Sequence, residues 1–280
     1  MMRTLKLTLA YDGTDYAGWQ VQRTRRPTVQ GTVERALRRI LQEPVRVAGS
    51  GRTDAGAHAE AQTAHIRIRS ATTASADGRP LSKASADARR RCGGVRRRRS
   101  GARSTISCEA LRRAANALLP PDIVVTKVED VRKGFHARFD AKQKRYRYRI
   151  VNGPVVLPFE RRYVHQVRTS LNLALMRREA SALVGRHDMR AFHKTSRPVR
   201  NARRHISSLS IRKQGDHVTL EIEADGFLHT MVRTIVGTLL EVGRGHRPPG
   251  TMAALLTRRD RRSAGPPAPA KGLCLVEVRY

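Results

Sequence analysis

The stretch TLKLTLAYDGTDYAGWQVQRTRRPTVQGTVERALRRILQE, Thr4 to Glu43, carries a strand, a loop and a helix in succession. Leu5, Leu7 and Leu9 alternate with polar residues, the period of a half-buried strand running from about Thr4 to Tyr11. YDGTDYAGWQ follows as a loop, by its glycines and aspartates. After Pro27, Val29, Val33, Ala36, Leu37, Ile40 and Leu41 recur at helical spacing, and Thr28 stands where an N-cap belongs. A two-periodic strand feeding a 3.6-periodic helix is the mark of a sheet packed against helices.

Outward from this unit the pattern continues. VRVAGS (45–50) and AQTAHIRIR (61–69) read as strands, which makes GRTDAGAHA (51–59) a strand-to-strand loop. CEALRRAANALLPPDI gives a helix with an apolar stripe at Leu111, Ala114, Ala115, Leu118 and Leu119, ended by Pro120 and Pro121. IVVTKVEDV and KRYRYRIV are strand-like, and a second helix covers roughly Leu171 to Val184. A hairpin is expected around Gln214-Gly215-Asp216, a buried helix over MVRTIVGTLLEVG and a closing strand over GLCLVEVRY. The order predicts an α+β fold of two similar halves, residues 1–141 and 142–280. Each half is a mixed or antiparallel sheet with helices on one face, and a basic cleft lies between them.

The charge narrows the partners. Lysine and arginine total 56 against 23 acidic residues, a net of +33, which points to a polyanion and above all to nucleic acid. An arginine-rich composition or a few basic tails would give the same total. Residues 70–107 hold ten basic and two acidic residues, so the rest of the chain, at +25, is itself basic. Within them, residues 70–104 are rich in Ser, Ala, Gly and Arg and nearly free of large apolar side chains, which reads as a disordered basic insert. Cys92, Cys108 and Cys274 are too far apart for a metal or disulfide framework, and the ten histidines form no metal motif. No apolar run reaches the roughly 18 residues of a membrane span. The alternating N-terminus lacks a signal-peptide core, so a cytoplasmic protein is expected.

Taken alone, Asp54 in GRTDAGAHA is a candidate catalytic carboxylate or a turn aspartate bonded to its own backbone. YDGTDYAGWQ, GRTDAGAHA, FHARFDAKQKRYRYRI and FLHTMVRTIVGTLLEVG, in this order and spacing, resemble the tRNA pseudouridine synthase A family across nearly the whole chain except the insert. The resemblance implies conversion of uridine to pseudouridine in the tRNA anticodon stem-loop, at positions 38, 39 and 40, by a cofactor-free homodimer with tRNA lying across both subunits. It implies Asp54 as the catalytic residue and Arg52 as the side chain that holds the place of the flipped-out nucleotide. It further implies Tyr146 as the ring that stacks on the target base and Arg233 as the partner of the Asp54 carboxylate. Ala57, Met189 and Cys274 depart from the family pattern (usually valine, phenylalanine and tyrosine), but none removes a catalytic group.

The residue types suit that chemistry. The target base must leave the helix, at a cost of a few kcal/mol, and aromatic stacking returns roughly 1–3 kcal/mol. A carboxylate in a closed pocket is favoured as the neutral acid, and a guanidinium at hydrogen-bond distance opposes this. Arg233, in an apolar helix, needs a carboxylate partner on physical grounds as well. On the residues alone, Tyr146 and Tyr148 could each be a half-buried strand tyrosine, Arg52 a plain phosphate contact, and His58, Trp19 and Asp12 structural supports. A noncatalytic RNA-binding protein, or the same chemistry at another RNA site, remains the alternative. Binding phosphates gains nothing from a central carboxylate, and this favours the enzyme. Deleting residues 72–104 is expected to leave fold and turnover nearly intact and to weaken RNA binding modestly, mostly at low salt. Loss of soluble protein on deletion would assign the segment a structural role.

Overall fold

The computed structural model describes residues 2–69, 106–194, 199 and 201–280. The basic insert at 70–104, with Cys92, lies outside the described residues. The strands are β1 (Met2–Tyr11), β2 (Ala48–Gly49), β3 (His58–Arg69), β4 (Ile123–Val131), β5 (Gln143–Val151), β6 (His165–Gln166), β7 (Gly185–Asp188), β8 (Arg203–Gln214), β9 (His217–Ala224) and β10 (Leu273–Arg279). The helices are α1 (Val29–Leu41), α2 (Cys108–Leu118), α3 (Leu173–Ser181), α4 (Met231–Gly243) and α5 (Thr251–Arg258). This is the expected α+β mixture, and the strands join into one mixed sheet in the order β4-β1-β3-β10-β5-β9-β8-β7. β2 adds to β3, and β6 to β5.

The sheet is antiparallel except where β10 runs parallel to β3 and β6 parallel to β5. The last strand, β10, is inserted between β3 and β5 in the middle of the sheet, while β1 lies one strand further out, between β3 and β4. The strands before residue 141 (β1 to β4) lie to one side of β10. Those after it lie to the other, and β10 hydrogen-bonds to both sets.

Local chemistry sets the helices. Thr28 Oγ1 accepts from the Gly31 amide at 3.3 Å and starts α1. Ser107 caps α2 and Asn172 caps α3 in the same way. α1 packs on α2, and α3 on α4. α4 is apolar on nearly every side, and only Arg233, Glu241 and their immediate surroundings keep any contact with water. α3 is shorter at both ends than Leu171–Val184, because Asn172 caps it late and Gly185, at φ +111, already begins β7. Of VRVAGS only Ala48–Gly49 pairs as strand. Val45 and Val47 are buried from an irregular segment instead. α5 and β7 had no sequence expectation. α5 is anchored from outside its own span, since the buried Glu179 carboxylate accepts the Gly250 amide at 2.6 Å and the Met252 amide at 2.9 Å. No helix among the described residues is long and apolar enough to cross a membrane.

The segment 264–268 lies directly on α4. A side chain at Gly237 would overlap the Pro266 carbonyl oxygen, and the Gly265 amide donates to Thr238 Oγ1 at 3.0 Å. In an ordinary helix interior Gly→Ala stabilises by about 1 kcal/mol. Here Gly237→Ala is expected to destabilise by about 2–3 kcal/mol, because overlap with backbone forces the strap off the helix. Urea midpoints would check this, and an increase in stability would show that the strap moves freely.

Candidate active site

Asp54 sits at the crest of the loop between β2 and β3, and a buried hydrogen-bond network holds that loop from below. The Ser50 amide donates to the Thr63 carbonyl at 2.7 Å, and Ser50 Oγ donates to Gln62 Oε1 at 2.7 Å. Gln62 Nε2 reaches the Gly51 carbonyl at 3.0 Å, and the Tyr11 hydroxyl and Thr53 Oγ1 lie 2.8 Å apart. Gln62 and Tyr11 come from the strands on which the hydrophobic pattern was read, so the core strands themselves shape the loop.

Small residues let other segments close on this loop. Trp19 is buried against Gly49, where a Cβ would stand 2.6 Å from the indole, and its amide donates to the Thr53 carbonyl at 3.1 Å. A side chain at Gly13 would overlap the Ala57 carbonyl. Gly56, at φ +77, takes the third position of a turn closed by the Ala57 amide and the Asp54 carbonyl at 3.1 Å. His58 is buried and joins three segments. Its Nδ1 lies 3.1 Å from both the Gly13 amide and the Asp12 carboxylate, and so serves one of them at a time. Its Nε2 faces the carbonyls of Arg162 and Lys271 at 3.1 and 3.2 Å. Asp12 also binds Thr14 and the Tyr163 hydroxyl, so Asp12, Trp19 and His58 form a scaffold around the loop.

The Asp54 side chain does not bond to its own turn. Arg233 Nη1, from the first turn of α4, donates to Asp54 Oδ2 at 2.6 Å. Arg233 Nε donates to the Ala268 carbonyl at 2.7 Å, while the Ala268 amide donates to the Arg233 carbonyl at 2.8 Å. The guanidinium is thus held at two points and aimed at the carboxylate. Both side chains are partly accessible, Asp54 at 16% and Arg233 at 19%, so the pair opens to solvent on one side.

His229 also approaches Asp54, with Nε2 3.6 Å from Oδ1, while its Nδ1 lies 2.6 Å from the Lys194 carbonyl. A proton on Nδ1 satisfies that carbonyl, so only the doubly protonated imidazolium presents a donor to Asp54 as well. The sequence signal for His229 was its place four residues before Arg233 in FLHTMVR.

Tyr146 is buried, and its ring meets Phe227 edge-on at 5.0 Å. Its hydroxyl has no hydrogen-bond partner among the described residues. Burial, followed by Tyr11 and Asp54, pushes that phenol above its ordinary value, so it holds its proton at neutral pH. Tyr148 is also buried, but its hydroxyl donates to the Pro269 carbonyl at 2.8 Å and ties β5 to the strap that holds Arg233. Arg52 is exposed, with no side-chain hydrogen bond among the described residues. The structure therefore pairs Asp54 with Arg233, sets Tyr146 near enough for the carboxylate to act on its phenol, and leaves Arg52, two residues before Asp54, exposed. A hollow of about 600 Å³ lined by Gln166, Val167, Arg168, Thr169, Arg244 and His246 includes none of these residues, and the paired charges mark the site better than that volume does. No group of three or more potential metal ligands occurs among the described residues.

Known proteins resemble this chain in sequence. A family model described as tRNA pseudouridine synthase matches residues 180–280. Proteins named tRNA pseudouridine synthase A are 40% identical to it in Moorella thermoacetica over 280 residues, 41% in Brevibacillus brevis and 39% in Geobacter sulfurreducens over 279. In each case the match covers both chains completely.

Breaking a fully buried ion pair costs roughly 3–5 kcal/mol, and partial exposure reduces that. Arg233→Gln is expected to cost about 2 kcal/mol of stability. A double-mutant cycle with Asp54→Asn, read from urea midpoints, should give a coupling of about 1–2 kcal/mol. Additive losses would show that the two groups are not energetically coupled.

Proposed function

As the chain belongs to the tRNA pseudouridine synthase A family, we propose that it acts on the anticodon stem-loop, at positions 38, 39 and 40, with Asp54 as its catalytic residue. The chain is an isomerase that converts uridine to pseudouridine in tRNA. The observation that carries the assignment of roles is the Asp54 carboxylate, fixed by Arg233 at 2.6 Å and near enough to Tyr146 to raise its phenol.

The reaction breaks the bond from uracil N1 to C1′, turns the base, and joins C5 to C1′. N1 gains a proton and C5 loses one, so atoms and electrons balance without an oxidant or a cofactor. Attack on C1′, attack on C6 and removal of a sugar proton all use the same carboxylate. In every case Arg233 orients Asp54 before substrate arrives, so no reorganisation is needed at the moment of reaction.

The base must first leave the stacked loop. Arg52, exposed at the edge of the catalytic loop, can enter the vacated stack while pairing with phosphate. Tyr146 receives the base on its ring. In the unbound chain that ring is covered, so stacking displaces part of what packs on it, and Phe227 is the aromatic neighbour in place to yield. A neutral phenol suits this role, because it adds no negative charge beside Asp54. The net charge of +33 supports a large RNA substrate. The reading includes a homodimer working in the cytoplasm, with tRNA lying across both subunits.

Asp54→Asn is nearly isosteric and is expected to fold and to bind tRNA at least as well as the parent chain, since a negative charge leaves a site that faces phosphates. It should release no tritium from tRNA carrying 5-³H-uridine, because C5 loses its hydrogen only when the new bond forms. Turnover by this variant would move the chemistry elsewhere. Mapping pseudouridine in tRNA from cells lacking the protein tests the positions, and retention at 38, 39 and 40 would overturn them.

A further inference from the structure

Lys144 is a half-buried lysine that the reaction described above does not use. Its Nζ donates to the Ser50 carbonyl at 2.6 Å, directly below the loop that carries Asp54. A Cβ on Gly51 would stand 3.3 Å from Nζ, so this glycine of the motif leaves room for an ammonium group. An ammonium carries three donors, and this one has a single partner among the described residues.

The sheet register places more positive charge beside it. Lys144 and Tyr146 stand two residues apart on β5 and so share a face. Lys144 lies opposite Ala224 of β9, and Ala224 lies opposite Ile206 of β8. Arg204 is two residues before Ile206 and therefore on the same face. Arg138, in the segment just before β5, lies near enough for its charge to act on both Lys144 and Arg204. Among the described residues, Lys144, Arg138 and Arg204 form no ion pair. Asp225 is the carboxylate acting on Arg204, and its Oδ1 already accepts the His205 amide at 3.1 Å. Burial, followed by Arg138 and Arg204, lowers the Lys144 ammonium to about 8. Lys144 and Arg204 on the tyrosine face, with Arg138 near both, repel one another in the unbound chain, and an anion placed among them relieves that repulsion.

We infer that Lys144, with Arg204 and Arg138, binds a backbone phosphate of the RNA strand that carries the target uridine. The inference rests on the pseudouridine synthase reading for the identity of the strand, but the anion site follows from the geometry. A phosphate oxygen takes the free donors of Lys144 while the Ser50 bond persists. The same ammonium then touches both the substrate backbone and the root of the Asp54 loop. Positioning of the strand and of the carboxylate are thereby linked through one side chain.

The test is the salt dependence of tRNA binding, measured in an Asp54→Asn background so that no turnover occurs. Each phosphate contact contributes about one unit to the slope of log affinity against log salt. Lys144→Gln is expected to weaken binding about fivefold at low salt and to reduce the slope by about one. Lys144→Arg, which keeps the charge, should restore most of the slope. Arg204→Gln leaves the Lys144–Ser50 bond in place and should also reduce the slope by about one, so the site is tested even if Lys144→Gln fails to fold. Unchanged slopes in the folded variants would overturn the inference and leave Lys144 as a tether of the Ser50 carbonyl. Tritium release by the parent chain separates the two readings. Release with unchanged slopes sinks the phosphate site alone, whereas reduced slopes without release sink the isomerase reading and keep the anion site.

Discussion

The contact between Arg233 and Asp54 spans 179 positions of sequence and organises the site. Neither group can be buried alone without a large cost in solvation, so the loop after β2 and the start of α4 must meet. The rest of the structure makes that meeting precise. Ala268 grips the guanidinium by its carbonyl and binds the Arg233 backbone by its amide, and Tyr148 holds the neighbouring Pro269. The strap can lie close enough to α4 because residue 237 has no side chain.

The position of β10 explains how one sheet serves this pair. Asp54 belongs to the strands on one side of the sheet, and Arg233 follows the β8–β9 hairpin on the other. β10 sits between β3 and β5 and bonds to both, so the two sets of strands keep a fixed separation. The strap that holds Arg233 lies just before β10 in the chain. The strand that closes the sheet therefore also fixes the guanidinium.

The Asp54 loop is built from small residues because its neighbours are large or charged. Gly49 accommodates Trp19, Gly51 leaves room for Lys144, Gly13 lets the first loop approach Ala57, and Gly56 takes a left-handed turn. Asp54 is therefore raised on a compact loop of a strongly basic protein. The guanidinium offsets its charge locally, while Arg52, Lys144, Arg138 and Arg204 form no ion pair among the described residues.

Much of this was legible in the sequence, for a physical reason. Alternation at Leu5, Leu7 and Leu9, the 3.6 period from Val29 to Leu41 and the cap at Thr28 are local properties, and each element formed where its own pattern placed it. The four motifs carried the family, and the cost of an unpaired arginine in an apolar helix required a carboxylate for Arg233. Other features depended on distant partners. α5 takes its N-terminal anchor from Glu179, and VRVAGS pairs over only two residues while its valines pack from an irregular segment. His229 faces Asp54 only because Lys194 turns the imidazole, and Lys144 joins Arg204 only through the register of three strands. Periodicity and propensity act between neighbours in the chain, and so the sequence alone determined the elements and the family. Which charges face one another depends on sheet order and register, which only the tertiary structure decided.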